Sequence, residues 1–93
     1  MEAMGGVEGQ RILVTGGTGS IGSEVVRQLL KRSPEHVTIL SRDDSKQFYL
    51  KEELSAYDNV SFVIGDVRDR ESLNRVFRNG VDIVVHAAAL KHV

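Results

Sequence analysis

The sequence has no cysteine and a single proline, and its 12 Lys and Arg against 13 Asp and Glu leave a formal net charge of −1 over 93 residues. Without cysteine there are no disulfides, no thiolate metal sites and no cysteine nucleophile, a usage that suits a reducing compartment such as the cytoplasm. Without a basic excess the chain is not expected to bind nucleic acid by neutralising phosphates. No long apolar run is present either: the longest, Ile83 to Leu90, is interrupted by His86 and is far short of the roughly 20 residues that span a membrane. The first nine residues carry neither a basic nor an apolar block, so a secretory signal is not expected. With three glycines and two glutamates, residues 1–9 read as a flexible tail and residues 10–93 as one domain. The apolar fraction of 41 % with 27 % charged residues is that of a folded chain rather than a disordered one.

What is present is a regular alternation. Arg11 to Thr15 and His36 to Ser41 are β-branched runs that read as strands, and so are Val60 to Ile64 and Val81 to His86. Between the first two, Ile21, Val25, Val26, Leu29 and Leu30 form an apolar stripe at helical spacing, expected to run over 20–33 and to stop at Pro34. A weaker stripe of Phe48, Leu50, Leu54 and Tyr57 predicts a helix from Asp43 or Asp44 to about residue 55. A third, capped by Asp69, carries Leu73, Val76 and Phe77 and ends at Asn79-Gly80. Strands joined through single helices require parallel, right-handed crossovers. The βαβαβαβ pattern therefore predicts an α/β fold with strand order 3-2-1-4, the first half of a doubly wound, Rossmann-type sheet plus one strand. The fourth strand would then have an apolar edge facing away from the first.

The strongest chemical signal is Thr15-Gly-Gly-Thr-Gly-Ser-Ile-Gly22, between the first strand and the first helix. Gly17, Gly19 and Gly22 satisfy G-x-G-x-x-G, and Gly16, Gly19 and Gly22 satisfy T-G-x-x-G-x-x-G. One glycine allows a tight turn, the next lets a pyrophosphate approach the backbone, and Gly22 lets helix and strand pack closely. The amino terminus of the helix, from Ser20, offers unpaired N–H groups and a partial positive charge to phosphate. A mononucleotide P-loop fits less well, because Ser23 stands where its lysine is needed.

The end of the second strand selects the dinucleotide. An NAD site places an acidic side chain there, whereas this chain places Ser41 and Arg42, with Lys46 one helical turn on. Two cations at a helix start, where anions are favoured, point to a clamp for the 2′-phosphate of NADP. Asp66, after the third strand, is placed to accept from an adenine amino group, with Val67 against the ring. Ala87 to Ala89 let a cofactor lie against the backbone, and Lys91 or His92 could reach a substrate anion.

These residues carry a resemblance. The chain resembles the extended short-chain dehydrogenase/reductase superfamily, and within it polysaccharide-biosynthesis proteins of the UDP-N-acetylglucosamine 4,6-dehydratase (inverting) type. Four blocks are similar: 15–22, Ser41-Arg-Asp-Asp-Ser-Lys46, Gly65-Asp-Val-Arg-Asp69 and His86-Ala-Ala-Ala-Leu-Lys-His-Val93. Asp44-Ser45 departs from the family's more usual Glu-Leu. The resemblance implies NADP held by Gly16, Thr18, Gly19, Ser20, Ile21 and Gly22, by Ser41, Arg42, Asp43, Asp44, Ser45 and Lys46, and by Asp66, Val67 and Ala87. It implies that Lys91 touches both cofactor and UDP-sugar. It further implies a homo-oligomeric, cytoplasmic enzyme that takes hydride from carbon 4 of the sugar, eliminates water across carbons 5 and 6, and returns hydride to carbon 6 with inversion at carbon 5. The family's catalytic Tyr-x-x-x-Lys is not in these 93 residues, since neither Tyr49 nor Tyr57 is followed by lysine at the fourth position. No catalytic residue is therefore assigned, and the chain by itself is expected to be inactive. A stand-alone NADP-binding module, or part of a related nucleotide-sugar epimerase or reductase, are the alternative readings.

Overall fold

The computed structural model describes residues 6–16, 19–42 and 44–87, and for Asp44 the backbone alone. Strands β1 (Arg11–Thr15), β2 (His36–Ser41), β3 (Val60–Ile64) and β4 (Ile83–His86) alternate with helices α1 (Ser20–Leu30), α2 (Asp44–Glu53) and α3 (Arg70–Phe77). The sheet order is β3-β2-β1-β4. All three pairings are parallel, with Ile12 opposite both Val37 and Ile83, and Ile39 opposite Phe62. The architecture is the expected Rossmann-type sheet. Among the described residues no helix is long and apolar enough to cross a membrane.

Strand alternation divides the core between the two faces of the sheet. On one, Ile12, Val14, Val37 and Ile39 meet Val26, Leu29 and Leu30 of α1, Leu50 of α2 and Leu54 just past its end. On the other, Leu13 and Leu40 meet Val76 of α3, with Leu73, Val63 and Val81 around them. Each such side chain removed from water contributes about 1.5–3 kcal/mol. The central strands β1 and β2 are thus covered on both sides, as parallel sheets require. At the edge, β4 pairs with β1 alone among the described strands, and its Val84 is 52 % exposed.

Several element ends and faces differ from those the sequence predicts. Helix α1 stops three residues early: the Arg32 amide turns back to Leu29 O at 2.9 Å, and Ser33 takes a positive φ of 55°. The inward residues of α2 are Gln47 and Leu50, continued by Leu54 just past its end, spaced by three and four, so Phe48 of the helix and Tyr57 beyond it are exposed. In α3, Ser72 is buried where Phe77 was expected. Strand β4 begins at Ile83 rather than Val81, after the Asp82 amide bonds Arg11 O at 2.7 Å. The core also reaches into the stretch expected to be a flexible tail, because Val7 is buried against the α1 face.

Two glycines have positions that the fold explains. Gly80 ends the third helical segment at φ 91°, its amide bonded to Phe77 O at 3.0 Å, as expected from Asn79-Gly80. At Gly65 a Cβ would lie 2.3 Å from Ser72 Oγ and 3.2 Å from Leu40 Cδ1. Only a glycine lets β3 turn out so close to α3, and that turn presents Asp66.

Candidate cofactor-binding site

The carboxyl ends of the parallel strands open into a groove of about 520 Å³. This is where a doubly wound sheet reverses its strand order and accepts ligands. One wall is the β1–α1 turn. Gly16 leaves β1 with φ 71° and donates its amide to Leu40 O at 3.0 Å, which ties the turn to β2. Gly19 is the extended N-cap of α1, and among the described residues no side chain caps the helix. A Cβ on Gly19 would come near only Gly16 O, at 3.9 Å. There is no acidic residue in the first turn of α1, and Ser20, Ile21 and Gly22 line the groove. The helix start therefore faces the groove with its positive end uncompensated by any side chain of its own.

The far wall is built from the ends of β2 and β3. Ser41, Arg42, Lys46, Asp66 and Val67 all line it. Arg42 is mostly solvent-exposed, and its guanidinium lies 3.6 Å from the Asp66 carboxylate. Arg68 makes the shorter ion pair to the same carboxylate, at 2.9 Å, and its amide bonds Asp66 Oδ1. The Arg68 side chain first, then its amide and, more weakly, Arg42 hold the Asp66 carboxyl down at about 2. Asp66 thus stays an ionised acceptor at any physiological pH. On the floor, Ala87 is fully buried at the end of β4, and Thr15 Oγ1 is hydrogen-bonded to His86 Nδ1.

The structure thus gathers Gly16, Gly19, Ser20, Ile21, Gly22, Ser41, Arg42, Lys46, Asp66, Val67 and Ala87 around one groove. Ser45 is exposed on α2 and does not line it. Thr18, Asp43 and Lys91, like Gly17 and His92, lie outside the described residues, and so does the Asp44 side chain. Three contributors escape a reading of the sequence. His86 and Leu40 line the groove as strand residues with no chemical signature of their own. Arg68 is the third, and its only signal is an Asp two residues before an Arg, the spacing of an Asx turn.

The family model for polysaccharide biosynthesis proteins matches residues 12–93. The chain belongs to that family. It is 47 % identical over 89 residues, 91 % of its own length and 25 % of the relative's, to the UDP-N-acetylglucosamine 4,6-dehydratase (inverting) of Campylobacter jejuni. It is 43 % identical over 86 residues, 88 % of its length and 25 % of the relative's, to the UDP-glucose 4-epimerase of Rickettsia akari. The solved epimerase Mth375 of Methanothermobacter thermautotrophicus superposes with a TM-score of 0.75 at 37 % identity, over 92 % of this chain and 24 % of that one. The chain therefore spans about a quarter of the length of the relatives it matches.

Proposed function

We propose that the chain is the NADP-binding part of a nucleotide-sugar 4,6-dehydratase of the UDP-N-acetylglucosamine type, acting in glycan biosynthesis in the cytoplasm. One observation carries the reading. An uncapped, non-acidic helix start and a pair of cations, Arg42 and Lys46, stand at opposite walls of the same groove. That arrangement suits a pyrophosphate at the first wall and a 2′-phosphate at the second. The residues present fit the cofactor in other ways too. Gly19 adds no side chain to the groove, Asp66 is kept ionised to accept from an adenine amino group, and Ala87 leaves the floor low.

In this role the first turn of α1, with Thr18 beside it, binds the pyrophosphate through backbone N–H groups. The 41–46 segment, through Ser41, Arg42 and Lys46 with Asp43 and Asp44 between them and not through the outward-facing Ser45, holds the adenosine ribose and its phosphate. Val67 packs on the adenine ring, and Lys91 is assigned contact with both cofactor and UDP-sugar. NADP, when bound, supplies a reversible hydride acceptor beside the sugar. None of the residues gathered here moves a proton on the substrate, so the 93 residues alone turn over no UDP-sugar; the whole enzyme is a homo-oligomer.

The test is Arg42→Ala, with NADP and NAD titrated against both proteins. A lost charge-assisted bond is worth about 1.5–3 kcal/mol, so NADP should weaken by about tenfold or more while NAD changes little. Equal losses for both cofactors would overturn the NADP assignment. The Rickettsia relative favours a second reading, a UDP-glucose 4-epimerase type. Loss of one water from UDP-N-acetylglucosamine, catalysed by a form of the protein that carries the proton-transfer residues, separates the two.

A further inference from the structure

We propose that Gln47 is the positioning residue that sets cofactor choice, by fixing the cations of one wall against the adenine end of the same wall; this rests on the NADP reading above. Gln47 lies in the first turn of α2 and is 4 % exposed. Its side-chain amide nitrogen donates to Val63 O at 2.9 Å and to Ser41 O at 3.3 Å. Those two carbonyls belong to neighbouring strands, the last residue of β2 and the penultimate residue of β3. Arg42 follows the first directly, Asp66 follows the second by three residues, and Lys46 precedes Gln47. One amide group thus ties together the helix start that carries Lys46, the strand end that carries Arg42 and the strand end that leads to Asp66.

The surroundings make this a specific arrangement. The inward residues that follow, Leu50 in α2 and Leu54 just past its end, are apolar and pack on the α1 face of the sheet. A third apolar residue would continue that stripe, and a buried polar group is tolerated there because both of its hydrogens are used. A primary amide has two hydrogens on one nitrogen, which is what two strand-end carbonyls need. Ser41 O also accepts the Gly65 amide at 2.9 Å. The link therefore reaches the turn in which Gly65, pressed against Ser72, presents Asp66. Without it, Leu50 and Leu54 still hold the body of α2, but the first turn loses its attachment to the strand ends. The 2′-phosphate is the part of NADP that depends on where that turn sits. The pyrophosphate, held by α1, does not.

Gln47→Met keeps length and apolar packing and removes both hydrogen bonds. We expect it to weaken NADP by about tenfold and NAD by no more than about twofold, so that the ratio of the two dissociation constants falls. Without cofactor, NMR order parameters at residues 42–46 should drop while those at Leu50–Glu53 hold. Gln47→Asn, one methylene short but still an amide, should show the same loss in smaller measure, and it serves if the methionine variant does not fold. A purely structural role would lower the melting temperature and weaken both cofactors alike; an unchanged ratio overturns the proposal. If the parent protein itself shows no preference for NADP, the underlying reading fails and the proposal goes with it. A parent that prefers NADP, with variants that keep the preference, overturns the role of Gln47 alone.

Discussion

Two helix starts in this molecule are built in opposite ways. Helix α3 begins at Asp69, whose carboxylate accepts from the Glu71 amide at 3.2 Å and from Ser72 Oγ at 3.0 Å, with Glu71 itself in the first turn. That is a helix start completed from its own sequence, with the Glu71 N–H partnered by the cap and the dipole met by negative charge. Helix α1 begins at Gly19 with no side-chain cap among the described residues and no acidic residue in the first turn. Its Ser23 hydroxyl turns back to Gly19 O at 2.7 Å and so uses an acceptor instead of satisfying a donor. The longer helix with the larger buried face tolerates the incomplete start, since Val26, Leu29 and Leu30 anchor it. The difference is what the proposed cofactor role requires: a helix start without a cap among the described residues, beside a groove with cations at its other wall, leaves N–H groups to meet an anion from outside the chain.

The comparison breaks most sharply if α1 is given the kind of start α3 has. Gly19→Asp places a carboxylate where a Cβ has room and φ is −73°. It should cap the helix and leave stability within a few tenths of a kcal/mol, or raise it. The same carboxylate competes for the N–H groups and repels the pyrophosphate, so NADP and NAD should both weaken by roughly ten- to hundredfold. A titration that shows cofactor affinity intact would mean that α1 does not bind the pyrophosphate. The converse change, Asp69→Ala, removes the cap of α3 and the partner of buried Ser72. Urea unfolding should show a loss of about 0.5–2 kcal/mol, with cofactor affinity nearly unchanged.

A smaller effect sharpens the contrast at the far wall. With its folded value held near 2 by Arg68 and Arg42, Asp66 pairs in full above the unfolded value of about 3.9. The contribution is lost as pH falls from there through about 2. A carboxyl-carbon NMR titration should place the Asp66 midpoint near 2, and Arg68→Ala should raise it towards the ordinary carboxylate value. An unmoved midpoint would show that Arg68 is not its main partner.

Much of this was legible in the sequence, for identifiable reasons. The β-branched runs gave β1, β2 and β3 to the residue, because a buried parallel strand has a dense apolar signature bounded by glycine or polar turns. Asp69 and Gly80 announced the ends of α3 through their own chemistry. The groove was legible because glycine spacing and the Ser41–Arg42 pair mark both of its walls. The faces of α2 and α3 were not. Phe48 is more apolar than Gln47, yet Gln47 is the buried one, since its two hydrogen bonds make burial tolerable and hydrophobic periodicity does not register a bond. Ser72 is hidden for the same reason: it fits beneath Gly65, where a phenylalanine would not. Beyond its Asx-turn spacing, Arg68 carries no sequence signal as a partner of Asp66, because the ion pair depends on the turn that follows β3.

On the proposed reading, one groove holds both a pyrophosphate and a 2′-phosphate at separate walls. Phosphorus-31 NMR of NADP titrated with the protein tests it most directly, because the two kinds of phosphorus report separately. The pyrophosphate and 2′-phosphate resonances should both shift in a saturable way. The 2′-phosphate should stay dianionic to lower pH than in free NADP, held by Arg42 and Lys46. A pyrophosphate that shifts while the 2′-phosphate titrates as it does in free solution would contradict it.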